Sequence, residues 1–198
     1  MLMAVFCLGA SLIGINAQEK DWANLQRYAQ QNAELPKPDK NEKRVVFMGN
    51  SITEGWVNTH PDFFKSNGYI GRGIGGQTSY QFLVRFREDV INLSPALVVI
   101  NAATNDIAEN TGAYHEDRTF GNIVSMVELA KANHIKVILT TTLPAAAFGW
   151  NPAIKDAPQK IASLNARLKA YAQTNKIPFV DYYSSMVSGS NKALNPAY

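Results

Sequence analysis

Arg44-Val45-Val46-Phe47-Met48 runs directly into Gly49-Asn50-Ser51-Ile52-Thr53-Glu54-Gly55. The four apolar residues after Arg44 show no polar alternation, the pattern of a strand buried on both faces, as parallel sheets require. The glycine and polar residues after them end the strand in a tight turn and expose a serine at its carboxyl end. Working outward, Leu97–Ala102 and Ile135–Thr141 are strong strand patterns of the same kind, Tyr69–Gly73 is a weaker one, and Ile177–Asp181 closes the series. Helical patterns lie between them, over residues 77–92, 119–133 and 158–174. In the last of these Ile161, Leu164, Leu168 and Tyr171 share one stripe, and Pro158 occupies a first-turn position. Strand and helix alternate throughout, so the fold class is α/β: a parallel sheet covered on both faces through right-handed crossovers.

Upstream, Met1–Ala17 carries no charged side chain and is too short and too early for a membrane span; it reads as a secretory signal peptide ending at Ala17. Residues 18–35 have Trp22, Leu25 and Ala29 near a helical period, and 36–43 form a charged linker with two prolines. Residues 44–198 are then one domain, and 198 residues with 46% hydrophobic content allow one good core rather than two. Cys7 is the only cysteine and lies in the signal segment, so a mature chain has neither a disulfide nor thiol chemistry. A net charge of +3, with basic residues scattered and never in runs longer than a pair, gives no nucleic-acid footprint.

The segments at the carboxyl ends of the first three strands carry the chemistry. They are 49–55, then Gly73-Ile74-Gly75-Gly76-Gln77-Thr78-Ser79, then Ala102-Ala103-Thr104-Asn105-Asp106. Ligands of open parallel sheets bind beyond the carboxyl ends of the strands, so these three segments are expected in one crevice. Ser51 offers a hydroxyl nucleophile. The backbone N–H groups of Ser51 and Gly76 and the side-chain amide of Asn105 offer three donors for the oxyanion of acyl transfer.

GNSITEG, GIGGQTS and ATND, in this order, resemble the first three sequence blocks of the SGNH or GDSL hydrolases. The likeness is greatest to the acetylhydrolase-like and carbohydrate-esterase-like members and covers roughly residues 44–198. It implies a flavodoxin-like three-layer α/β/α sandwich around a five-stranded parallel sheet. It also implies a serine ester hydrolase of the secreted or periplasmic space, acting without cofactor or metal on small acyl esters of carbohydrates or lipids. Ser51 maps to the nucleophile, and Gly76 and Asn105 map to the oxyanion hole. Asn50 stands where the family commonly has Asp, and Ala103 where it has Gly. The family's fourth block, D-x-x-H, supplies the general base and its carboxylate partner. It is absent: no aspartate has a histidine three positions on, and the last histidine is His134. The reading is therefore of a chain that stops short of its base, with weak activity or none as it stands.

Other readings compete at particular residues. Ser51 and Glu54 spell an S-x-x-E capping box for the helix after the first strand. Gly71, Gly73 and Gly76 spell the G-x-G-x-x-G of dinucleotide sites, but Glu88 and Asp89 fall short of the acidic position that motif needs about 20 residues on. Asn105 suits a turn cap, and Asp106 a structural acceptor of backbone amides. His60 and His134 read as solvated, and His115 is a substitute base only if the fold brings it to Ser51. Trp56 and Trp150 form either a sugar-stacking wall of the crevice or a lid on the core. The alternative function is a non-catalytic carbohydrate- or ligand-binding module on the same scaffold. The oligomeric state is not legible.

Overall fold

A computed structural model describes residues 21–198, and the signal segment with Cys7 lies outside them. The chain enters through a 3-10 turn at Leu25–Arg27 and the short helix α1 (Ala29–Glu34). The periodicity predicts one continuous helix over 18–35. Its described part is broken instead by Asn24 in the left-handed region (φ 54°) and by Tyr28 at φ −117°. Leu35, before Pro36, is already extended, as the residue preceding a proline must be.

The domain then runs β1 (Val45–Gly49), α2 (Ser51–Thr59), α3 (Pro61–Ser66), β2 (Tyr69–Gly73), α4 (Ser79–Asp89), β3 (Leu97–Ile100), α5 (Thr104–Ile107), α6 (Glu116–Ala132), β4 (Lys136–Thr140), α7 (Ala157–Thr174) and β5 (Phe179–Val180). A tail completes it: α8 (Tyr182–Met186) and the two-residue strands β6 (Val187–Ser188) and β7 (Ala193–Leu194). No periodicity in the sequence announces this hairpin. It turns through Gly189 and Lys192, both at positive φ.

The main sheet is five-stranded, in the order β2-β1-β3-β4-β5 with every pair parallel. That is the expected doubly wound sheet, and its strand order reverses between β1 and β3, where such folds open a crevice. Register Val46↔Val98↔Val137 and Met48↔Ile100↔Leu139 sets one face of the sheet. That face packs on Phe82 and Phe86 of α4, Ile123, Met126 and Val127 of α6, and Ile161, Leu164 and Leu168 of α7. Phe47, Val99 and Ile138 are in register on the other face, which α2 and α3 cover beside β1 and β2.

Two boundaries shift from expectation for local reasons. The helix expected from 77 begins at Ser79, because Thr78 and Gln81 form a reciprocal capping box. The helix expected from 119 begins at Glu116, directly after the extended His115, with Glu116 and Asp117 in a first turn that favours negative charge.

Candidate active site

β1 ends at Gly49, and the chain enters α2 with Asn50 as its cap: Asn50 Oδ1 accepts from the Ile52 N–H at 3.0 Å. Ser51 is thus the first helical residue and not the cap. Its side chain is exposed, and its N–H has no acceptor among the described residues at the positive end of the helix. The Ser51/Glu54 capping box does not form. Glu54 reaches across instead, accepting from Gly75 N–H at 2.8 Å and pairing with Arg27 Nη2 at 3.0 Å.

Glycines make this meeting of segments possible. A β-carbon on Gly73 would stand 2.3 Å from Glu54 N, which no side chain tolerates. One on Gly75 would stand 3.8 Å from Ser51 Cβ, so the second segment lies against Ser51. Gly71 and Gly73 therefore serve close packing of β2 on α2, which removes the dinucleotide reading of this G-x-G-x-x-G. Gly76 comes next at φ +76°, exposed, with its N–H free of any acceptor among the described residues. Asn105, in α5, is buried, and its Nδ2 donates to Gln77 O at 2.9 Å, leaving its second amide hydrogen available. Residues 75–77 thus link the three segments beyond the carboxyl ends of β1, β2 and β3, Gly75 lying beside Ser51 and Gln77 O accepting from Asn105. Ala103, where a glycine is usual, holds the left-handed conformation (φ 84°) that starts α5.

A buried polar frame holds these segments from behind. Arg85 is fully buried; its Nη2 donates to Gly49 O (3.0 Å) and Arg72 O (2.9 Å), its Nε to Gln77 Oε1 (2.6 Å), and its Nη1 to Asp89 (2.7 Å). Burial lowers the guanidinium's pKa and Asp89 pulls it back up. Asp106 accepts from Ser79 N (2.9 Å), from Ser79 Oγ and from Thr119 Oγ1 (3.2 Å), the structural role expected of it. Burial pushes its carboxyl above the ordinary value, against the pull of those donors. The Tyr28 hydroxyl donates to Gly73 O, and Gln77 Nε2 donates to Ala23 O (2.7 Å), so the entering segment straps the second loop.

Among the described residues no hydrogen bond joins Ser51 Oγ to an imidazole. His60 is exposed, its Nδ1 2.9 Å from Thr59 Oγ1. His134 lies at the amino end of β4, the opposite end of the sheet. His115 is exposed at the start of α6 and lines a hollow with Trp22, Tyr80 and Arg118, so the fold gives it no contact with Ser51. Three buried polar atoms without partners collect where β1 and β3 end: Asn50 Nδ2, Asn101 Oδ1 and Thr104 Oγ1. No group of three His, Cys, Asp or Glu among the described residues could hold a metal. No described helix is long and apolar enough to cross a membrane.

Sequence reasoning missed Arg85 and Asn110, and gave Glu54 a partner it does not have. The first left a signal, because Phe82, Arg85, Phe86 and Asp89 fall on one helical stripe, marking an ion pair turned inward. Asn110 left none; its Nδ2 donates to Gly76 O at 3.0 Å and its Oδ1 accepts from Trp150 Nε1 at 2.8 Å.

Known proteins place this geometry. A crystal structure of a Bacteroides fragilis protein described as an acylhydrolase is 99% identical, with a TM-score of 0.90 over 91% of this chain and 86% of that one. That of a GDSL-like lipase from Bacteroides thetaiotaomicron is 78% identical, with a TM-score of 0.88 over 89% of this chain and 86% of that one. A Bacillus subtilis lipoprotein of uncharacterised role is 32% identical over 117 residues, 50% of this chain and 48% of its own, so the chain spans about half the length of that curated relative. The model of the GDSL-like lipase/acylhydrolase family matches residues 47–197. The chain belongs to that family of ester hydrolases.

Proposed function

We propose that this chain carries the nucleophile and oxyanion hole of an exported serine esterase acting on small acyl esters. Ser51 Oγ attacks the ester carbonyl carbon, and its proton passes to a base. The carbonyl oxygen, now an oxyanion, is held by the N–H groups of Ser51 and Gly76 and by Asn105 Nδ2. Collapse expels the alcohol, which takes up the proton, and leaves an acyl-Ser51. Water attacks the acyl-enzyme in turn, releasing the carboxylic acid and restoring the hydroxyl. The observation that carries this reading is the approach of the Gly75–Gly76 loop to an exposed serine at a helix N-terminus, with Asn105, bonded to the same loop through Gln77 O, keeping a second amide hydrogen to donate.

The base in this reading is none of His60, His115 and His134, which the fold places away from Ser51. The partnerless Asn50 Nδ2, Asn101 Oδ1 and Thr104 Oγ1 beside the crevice support a further polar group entering there. Export is supported by the uncharged apolar leader and by the lipoprotein name of the Bacillus relative.

The test is hydrolysis of p-nitrophenyl acetate by the native gene product beside its Ser51→Ala variant. The serine variant is expected to lose at least about 1,000-fold in kcat. Residues 1–198 are expected to gain a Ser51-dependent rate when free imidazole is added. Equal rates for native protein and variant would end the esterase reading. They would favour a ligand-binding module, which the missing imidazole at Ser51 Oγ otherwise recommends.

A further inference from the structure

Of the two tryptophans that the sequence offers as a crevice wall, the structure sends them to different tasks. Trp56 joins Phe47, Phe63 and Phe64 in an aromatic cluster, with ring centroids 5.3–5.5 Å apart. Trp150 is 61% exposed yet held at two points. Phe148, itself buried, packs against it at 5.2 Å, and its Nε1–H donates to Asn110 Oδ1 at 2.8 Å. Asn110 passes the link on, Nδ2 to Gly76 O, the carbonyl of the residue whose N–H serves the oxyanion. An exposed indole ordinarily samples several rotamers. This one is pinned at its edge, with much of its surface left to solvent, two hydrogen bonds from the oxyanion hole.

We propose that Trp150 is the binding platform for the alcohol portion of the ester, and that this portion is a pyranose ring. The proposal rests on the esterase reading above. An alkyl chain gains most where walls enclose it, since its binding scales with the area removed from water. A pyranose needs one flat apolar surface for its C–H face and open, polar surroundings for its hydroxyls. Trp150 provides the surface, and the exposed Asn110 and Thr111 provide the polar edge. Asn110 is a positioning residue: it fixes the indole and the Gly76 peptide together, so ring and carbonyl are bound in register.

The experiment compares kcat/KM for a mono-O-acetyl methyl xylopyranoside with that for vinyl acetate, which has no ring, using the native gene product. Trp150→Ala is expected to lower the ratio of the two about tenfold, mainly through KM of the sugar ester. Trp150→Phe is expected to restore most of it. Val84→Ala, an exposed apolar side chain on α4, is expected to leave the ratio where it was. An unchanged ratio in Trp150→Ala overturns the proposal. So does a selective loss on p-nitrophenyl decanoate, which would make the indole an acyl-chain wall. If no ester is hydrolysed at all, the esterase reading fails and the platform is still decided by titrating methyl xylopyranoside against tryptophan fluorescence. Quenching in the native protein that is missing in Trp150→Phe sustains it, and absence of quenching in both ends it.

Discussion

The sheet's two faces are built to different standards. Against α4, α6 and α7 it presents Val46, Met48, Val98, Ile100, Val137 and Leu139, every one of them buried. On the far side, α2 and α3 lay an aromatic cluster over Phe47 and stop there. Beside β3 the surface opens into an apolar trough of about 260 Å3 lined by Phe47, Ile52, Trp56, Val99, Leu143 and Met186. The closed face also carries the polar groups that fix the crevice from behind: Arg85 from α4, with Asp106 tied to Ser79 and Thr119. One face thus carries a buried polar frame behind the crevice, while the other leaves α2, the helix of Ser51, bordering an open trough. Mutations should therefore be felt unequally.

The largest effect is expected from Arg85→Met. Removing the guanidinium strands the carbonyls of Gly49 and Arg72, the Gln77 amide oxygen and the Asp89 carboxylate in a water-poor interior. Taking one partner from such a buried set costs about 3–5 kcal/mol, measurable as a lower urea midpoint. A loss under about 1 kcal/mol would mean that the closed face does not depend on its polar frame.

Next comes a matched pair. Phe86→Ala digs a cavity in the closed face, where Phe86 is fully buried, and is expected to cost about 3–4 kcal/mol. Phe47→Ala removes the same ring from a half-buried site bordering the trough, with an expected cost of about 1–2 kcal/mol. Equal losses would erase the contrast between the faces.

How much of this is legible in the sequence depends on the range of the forces. β1, β3 and β4 are readable because burial on both faces needs apolar runs, and the crevice comes from strand–helix alternation. The crevice's backbone is readable for the same reason: glycine and a serine at a strand end have few other uses. The features that escape depend on tertiary partners. Glu54 has the spacing of a helix cap, yet the nearby Gly75 N–H and Arg27 claim it once β2 closes on α2. Asn110 has no local pattern at all, because both its partners, Gly76 and Trp150, lie at least 34 residues away in sequence. The entering segment looks like one helix because periodicity does not register the left-handed Asn24. Strand β5 is only two residues long because, at the sheet edge, only Leu139 and Thr140 pair with it.

The smallest effect sharpens the view of the open face through α8, which contributes Tyr182 and Met186 to the trough. Asp181 caps this helix, its Oδ1 accepting from Ser184 N–H at 3.0 Å and its Oδ2 from Ser184 Oγ at 2.8 Å. The Ser184 backbone N–H, with help from its hydroxyl, holds the carboxyl below its ordinary 3.8 despite slight burial. A folded pKa below the unfolded one gives stabilisation that is present above about 3.8 and drains away as pH falls through the folded value. Asp181→Ala is therefore expected to cost about 1 kcal/mol at neutral pH, lowering Tm by roughly 2–4 °C. The gap between native and variant should narrow as the solution is acidified below that point. Should Tm instead stay unchanged while the α8 amides exchange faster, the tail is a separate unfolding unit, and the open face is held together less by its helix than by the sheet it leans on.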